Sequence, residues 1–164
     1  MKIEQVYTSY FYQIRYFTPD LVPLSTAVWD PKWYHNFKSQ DYSYIDKRGV
    51  ICGLRVNQLH PDKSCDYQCV ECQKTGDPNT CDFIQKYKAQ LQNINFENFM
   101  FSLEHYMDII QKDYLKTTEQ LTPIFIVHEA IGNACSERGS IQQWFNSNGV
   151  KCCEWPGTVS RCYN

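Results

Sequence analysis

The chain of 164 residues is 43% hydrophobic and 21% charged, with a mean hydropathy of −0.53 and a formal charge of −2, figures that suit one soluble globular domain spanning residues 1–164. No run of 18 apolar residues is present, which excludes a spanning helix, and Met1-Lys2-Ile3-Glu4-Gln5 lacks the basic-then-apolar layout of a signal peptide, so the expected location is the cytoplasm. The 16 Lys and Arg against 18 Asp and Glu, without a basic block, exclude the electrostatic footprint of duplex DNA or of an anionic membrane, so any contact with nucleic acid must be local.

Ile3 to Thr8 alternates apolar and polar residues and predicts a first strand ending at Ser9-Tyr10. Leu21 to Ala27 predicts a second, in which Pro23 has no N–H for a ladder and belongs at the strand start or on a sheet edge. An aromatic loop from Trp29 to Phe37 follows. Tyr42–Ile45 and Val50–Leu54, separated by Asp46-Lys47-Arg48-Gly49, predict a small hairpin. From Leu59 to Cys81 no hydrophobic period survives, so something other than a core must order the segment.

Helices are expected over Cys81–Gln92 and Phe96–Leu115, the latter with Phe96, Phe99, Met100, Leu103, Tyr106, Met107 and Ile110 on one face. Ile124-Phe125-Ile126-Val127, the most hydrophobic stretch of the chain, suits a central strand buried on both faces. Ser136 to Asn148 predicts a helix stopped at Asn148-Gly149, and Val150 to Trp155 a last strand. Strands alternating with helices imply an α/β fold, a mainly parallel sheet with helices on its faces.

Nine cysteines are more than a core of this size needs, and in a reducing compartment they read as metal ligands, reactive thiols or small core residues. Cys65, Cys69 and Cys72 form C-x3-C-x2-C and Cys81 follows, four thiols in one coreless loop. Four thiolates around a structural zinc would supply the missing folding energy, with His60 as a substitute ligand. Free or transiently oxidised thiols are the competing reading. The same spacing matches the iron–sulfur triad of radical S-adenosylmethionine enzymes, but those resemble a barrel much larger than this chain. Cys152, Cys153 and Cys162 either form a second metal site with Cys52 or stay unpaired.

A second constellation, His128-Glu129 and Cys135-Ser136-Glu137-Arg138, falls where a central strand ends and a helix begins, the place at which open parallel sheets bind ligands. Backbone N–H groups, Ser136 and Arg138 could hold an anion there, and a thiol near a helix start can have a lowered pKa. The plainer reading makes Cys135 a buried small residue and Ser136 a cap. Tyr7, Thr8, Ser9 and Tyr10 after the first strand and Ser25 after the second should reach the same edge. Trp29 and Trp33 could supply a stacking wall for a base, or simply cover the sheet. The C-x2-R interval is too short for a tyrosine-phosphatase loop, and G-x-G-x-x-G, G-x-x-x-x-G-K-[ST], G-x-S-x-G and H-E-x-x-H are all missing.

Val6-Tyr7-Thr8-Ser9-Tyr10-Phe11, Pro23-Leu24-Ser25, Pro31-Lys32-Trp33-Tyr34, Leu59-His60-Pro61 and Glu129 followed by Cys135-Ser136-Glu137-Arg138 together resemble the family called domain of unknown function 488, in its phage and bacterial branch. Ser136 and Glu137 stand where that family has a single histidine. The resemblance implies a small Rossmann-like three-layer domain in the cytoplasm of a bacterium or a phage-infected host cell, with residues 59–81 as a cysteine-rich insertion. It implies little about reaction. The site residues point to a nucleotide, nucleoside or modified base bound over the sheet edge, and to a hydrolase acting on an N-glycosidic or phosphate-ester bond. Glu129 would then be the general base or the stabiliser of a developing cation, Cys135 the candidate nucleophile and Arg138 an anchor. The competing class is a non-catalytic phage accessory protein that sequesters a signalling nucleotide or docks a host protein through the zinc loop.

Overall fold

The computed structural model describes residues 2–36, 43–62, 81–129 and 136–155. Strands β1 (Gln5–Tyr10), β2 (Leu21–Ser25), β5 (Thr122–Val127) and β6 (Lys151–Glu154) form a parallel sheet in the order β2-β5-β1-β6. β3 (Tyr44–Ile45) and β4 (Ile51–Cys52) pair as a separate antiparallel hairpin. β5 is central, with Pro23 of β2 opposite Ile124 on one side and Tyr7 of β1 opposite the same residue on the other. Its apolar run is continuous because both of its faces are covered. Pro23 lies on the outer strand, as its missing N–H requires, and its carbonyl accepts from the Tyr34 hydroxyl at 3.1 Å.

Helices α1 (Asp82–Gln92), α2 (Phe96–Ile109) and α3 (Arg138–Ser147) share one apolar cluster with Val6, Leu24, Phe125, Val127 and Cys152. Asn95 caps α2 by accepting from the Asn98 N–H at 2.9 Å. Where the apolar stripe predicts one helix to Leu115, the last five residues, Ile110–Tyr114, widen into a π turn. α3 stops at Gly149, whose φ of +85° suits a residue without Cβ, and the Val150 N–H returns to the Phe145 carbonyl at 3.1 Å.

The opposite face carries Ile124 and Ile126 and, among the described residues, is covered without an α-helix. The β1–β2 connection is too short for a helical crossover. It is instead a 3-10 helix, Phe11–Tyr16, and three residues per turn bring Phe11, Ile14 and the following Phe17 onto one buried stripe. Tyr34 and Cys52 complete that cluster. Among the described residues, the expected α-helices on the sheet's faces are thus found on one face. Because the chain leaves β1 on one face and β5 on the other, their adjacent carboxyl ends form a switch point, where a crevice opens in parallel sheets.

One charged pair lies inside this scaffold. Arg138 Nε donates to both oxygens of Glu154 at 2.6 and 2.8 Å, and the Glu154 side chain is wholly buried. The Thr8 hydroxyl donates to Glu154 at 2.9 Å and accepts from Gln142 at 2.6 Å. Glu154→Ala would leave a buried guanidinium without its counter-charge, a loss of about 3–5 kcal/mol. Urea unfolding is expected to show that loss, and the double replacement Arg138→Met with Glu154→Leu is expected to recover most of it.

Candidate functional site

A hollow of about 300 Å3 opens at the carboxyl edge of the sheet, lined by Ala27, Val28 and Trp29 after β2, His128 and Glu129 after β5, and Glu137 just ahead of α3. Of the residues expected at a site, Trp29 and Glu129 line it. His128 and Glu137, members of the same constellation, line it as well. The Trp29 and His128 rings lie 4.3 Å apart at an interplanar angle of 56°. Behind them Phe11 approaches His128 at 6.3 Å and Trp33 at 6.2 Å, edge on. Trp29 and Trp33 are 61% and 50% exposed, leaving ring surface open at the mouth.

Two carboxyl groups face each other here. Glu137 is buried, and burial first, then the neighbouring Glu129 carboxylate, push its acid up to about 8. Both side chains line the same hollow. Glu129 Oε2 is buried beside the hollow and has no hydrogen-bond partner among the described residues, and a buried carboxylate oxygen left open in this way is a ready acceptor for a ligand N–H or O–H. At neutral pH the pair therefore holds a proton on Glu137, the arrangement by which two neighbouring carboxyls divide acid and base work.

Arg138 does not face the hollow as an open anchor. Besides its bonds to Glu154, its Nη2 donates to the Glu129 carbonyl at 2.7 Å, and its guanidinium carbon sits 5.6 Å from the Tyr10 ring centroid. It fixes the turn that carries Glu129. Ser136 accepts the Arg138 N–H at 3.3 Å. The hydroxyl residues are likewise held internally: Thr8 by Glu154 and Gln142, Ser9 by donation to the Trp155 carbonyl at 2.8 Å, Ser25 by donation to Asp30, and Tyr10 by Gln13 at 2.8 Å. Tyr7 packs into the opposite-face cluster.

A second polar cluster supports the loop bearing Trp29. Asp30, 2% exposed at its side chain, meets Arg55 at 2.6 Å and His35 at 2.7 Å. Arg55 Nη2 and His60 Nδ1 both contact the Ala27 carbonyl, the latter at 2.8 Å. His60 thus braces the hollow's wall through Nδ1.

Cys135 and the metal candidates Cys65, Cys69 and Cys72 lie outside the described residues, while Cys81 is buried directly ahead of α1. Cys52 and Cys152 are free thiols, buried in different clusters, and burial pushes Cys52 up to about 12, leaving it unreactive. Cys153 is disulfide-bonded, so it neither stays unpaired nor joins Cys52 in a second metal site. Among the described residues no three His, Cys, Asp or Glu are placed to hold a metal ion, and no helix is long and apolar enough to cross a membrane.

No protein-family model, curated protein or solved structure matches the chain, so the similarity to domain of unknown function 488 rests on the residues quoted above.

Between about pH 4.5 and 8 folded Glu137 keeps a proton that the unfolded chain releases, so stability falls as pH rises through that window. Glu154, pushed up to about 7 chiefly by burial, acts in the same direction. Denaturation midpoints are expected to drop from pH 5 to pH 8, and Glu137→Gln, which mimics the protonated acid, is expected to flatten that slope.

Proposed function

We propose that the hollow binds a nucleoside or a nucleobase of a larger nucleic acid and that the protein hydrolyses the N-glycosidic bond. The observation that carries this reading is the placement of Glu129, with a buried oxygen unpartnered among the described residues, and Glu137 beside an exposed indole in the same hollow. The described lining has no Lys or Arg, and the neighbouring Arg138 is neutralised by Glu154. A phosphate inside would meet carboxylates without a counter-charge, so N-glycosidic chemistry is favoured over phosphate-ester chemistry.

The base stacks on Trp29 and His128, a contact worth about 1–3 kcal/mol. Neutral Glu137 delivers its proton to the departing base nitrogen as the carbon–nitrogen bond breaks, and the Glu129 carboxylate stabilises the cation that develops on the sugar carbon. Glycosidases that flank a sugar hold their carboxyls about 5 Å or more apart. Here Glu129 and Glu137 line one hollow side by side, and in this scheme they act from one side of the substrate. Water adds to the cationic carbon and returns a proton to Glu137, which restores the pair. Cys135 has no part in this scheme.

Incubation with a panel of free nucleosides, followed by chromatography of the released base, is the direct test. Turnover is expected to fall above about pH 8 as Glu137 ionises, and Glu129→Gln or Glu137→Gln is expected to lower it by about 100-fold or more. Recovery of every nucleoside intact, with or without binding, overturns the hydrolase reading in favour of sequestration.

The same reading keeps a structural zinc on Cys65, Cys69, Cys72 and Cys81, supported by the grouping of four thiols in one stretch of sequence. Native mass spectrometry of freshly purified protein is expected to show one zinc ion per chain, and zero mass excess removes it.

A further inference from the structure

The segments that follow β1 and β2 carry the reading one step further. Eight large hydrophobic side chains are exposed among the described residues, and five of them, Tyr12, Tyr16, Val28, Trp29 and Trp33, lie on the two segments that follow β1 and β2. Exposed apolar groups concentrated on two segments that meet at the Phe11–Trp33 ring contact mark an interaction surface. The 3-10 helix explains half of the concentration. Its period of three buries Phe11 and Ile14 and turns Tyr12 and Arg15 outward together, so that the Arg15 guanidinium carbon lies 3.6 Å from the Tyr12 ring centroid. Tyr16 stands beside Tyr12 with ring centroids 6.2 Å apart.

The second segment repeats the combination, with exposed Lys32 between Trp29 and Trp33. Its one acid, Asp30, is buried and paired with Arg55. Both segments therefore offer aromatic faces and cations to solvent, with no exposed carboxylate among Phe11–Tyr16 or Val28–Tyr34. Aromatic faces interleaved with cations match unpaired bases on a phosphate backbone, whereas a duplex hides its base faces.

We infer that the substrate is a base within a single-stranded nucleic acid, whose neighbouring bases stack on Tyr12, Tyr16 and Trp33 while its phosphates pass Arg15 and Lys32 and the target base enters the hollow. The inference rests on the proposed function for the fate of that base. It also accounts for a hollow without a cation: the phosphates stay outside, and only the uncharged base reaches the carboxyl pair.

Fluorescence anisotropy of the full chain with labelled oligo-dT and oligo-rU of about 12 nucleotides, and with a duplex of the same length, tests it. Both single strands, or one of them according to the sugar preferred, are expected to bind at least about tenfold more tightly than the duplex. Tyr12 and Tyr16 are 51% and 58% exposed, so Tyr12→Ala with Tyr16→Ala should fold normally, weaken strand binding about tenfold or more, and leave turnover of free nucleosides unchanged. Arg15→Ala should lower the salt slope of strand binding by about one. Equal affinity for strand and duplex, or undiminished binding by the double tyrosine variant, overturns the inference. Strand binding without base release overturns the hydrolase reading alone. Cleavage of free nucleosides without strand binding overturns this inference alone.

Discussion

The carboxyl edge of the sheet is organised by one buried guanidinium. Arg138 opens α3, yet its hydrogen bonds run to Glu154 at the end of β6 and to the carbonyl of Glu129 just beyond β5. Through Glu154 it is also tied to Thr8 of β1. Three strands and a helix thus converge on one planar group, which can meet a carboxylate and a carbonyl together because its donors form a fixed fork. The position of Glu137 follows, since it is the residue before the clamp, and so does that of Glu129, whose carbonyl the clamp holds. A lysine could supply the charge but not this geometry.

Such a pair is a poor source of stability, because desolvating two ions offsets much of their attraction. What it supplies is registration. Two carboxyls brought together repel when both are ionised, and the fold must hold the turn after β5 against the start of α3 despite that repulsion. Binding the carbonyl of Glu129, rather than its carboxylate, leaves the acid pair unneutralised. Had the guanidinium paired with Glu137, the acid would have stayed near the ordinary carboxylate range with no proton to give at neutral pH.

Much of this fold could be read along the chain because its signals are local. The Pro123 to Val127 run, the apolar stripe of α2 and the Asn148-Gly149 stop each sit within one element. The less legible parts depend on distant partners. Thr8, Ser9 and Ser25 read as ligand hydroxyls, but where Thr8 and Ser9 point depends on Glu154 and Trp155, which lie far along the chain. Arg138 reads as an open anchor until Glu154 comes beside it. Glu137 belonged to a recognised cluster, yet its acid strength comes from burial and from Glu129, neither of which a linear pattern contains. The pairing of Asp30 with Arg55 was invisible for the same reason.

That second ion pair completes the electrostatic argument. Arg55 is held by Asp30 beside the hollow and by the Ala27 carbonyl in its wall, while Arg138 is held by Glu154 beneath it. Both guanidiniums near the site are thereby turned into braces, one for the turn presenting Trp29 and one for the turn presenting Glu129. The cations that remain open, Arg15 and Lys32, lie on the flanking surface among exposed rings. Charge is thus sorted by depth. Positive groups outside attract a polyanion over a distance set by ionic screening, and the carboxyl pair inside admits the uncharged part of it. A single residue type would not achieve this separation; it arises because each buried arginine has a buried acid of its own.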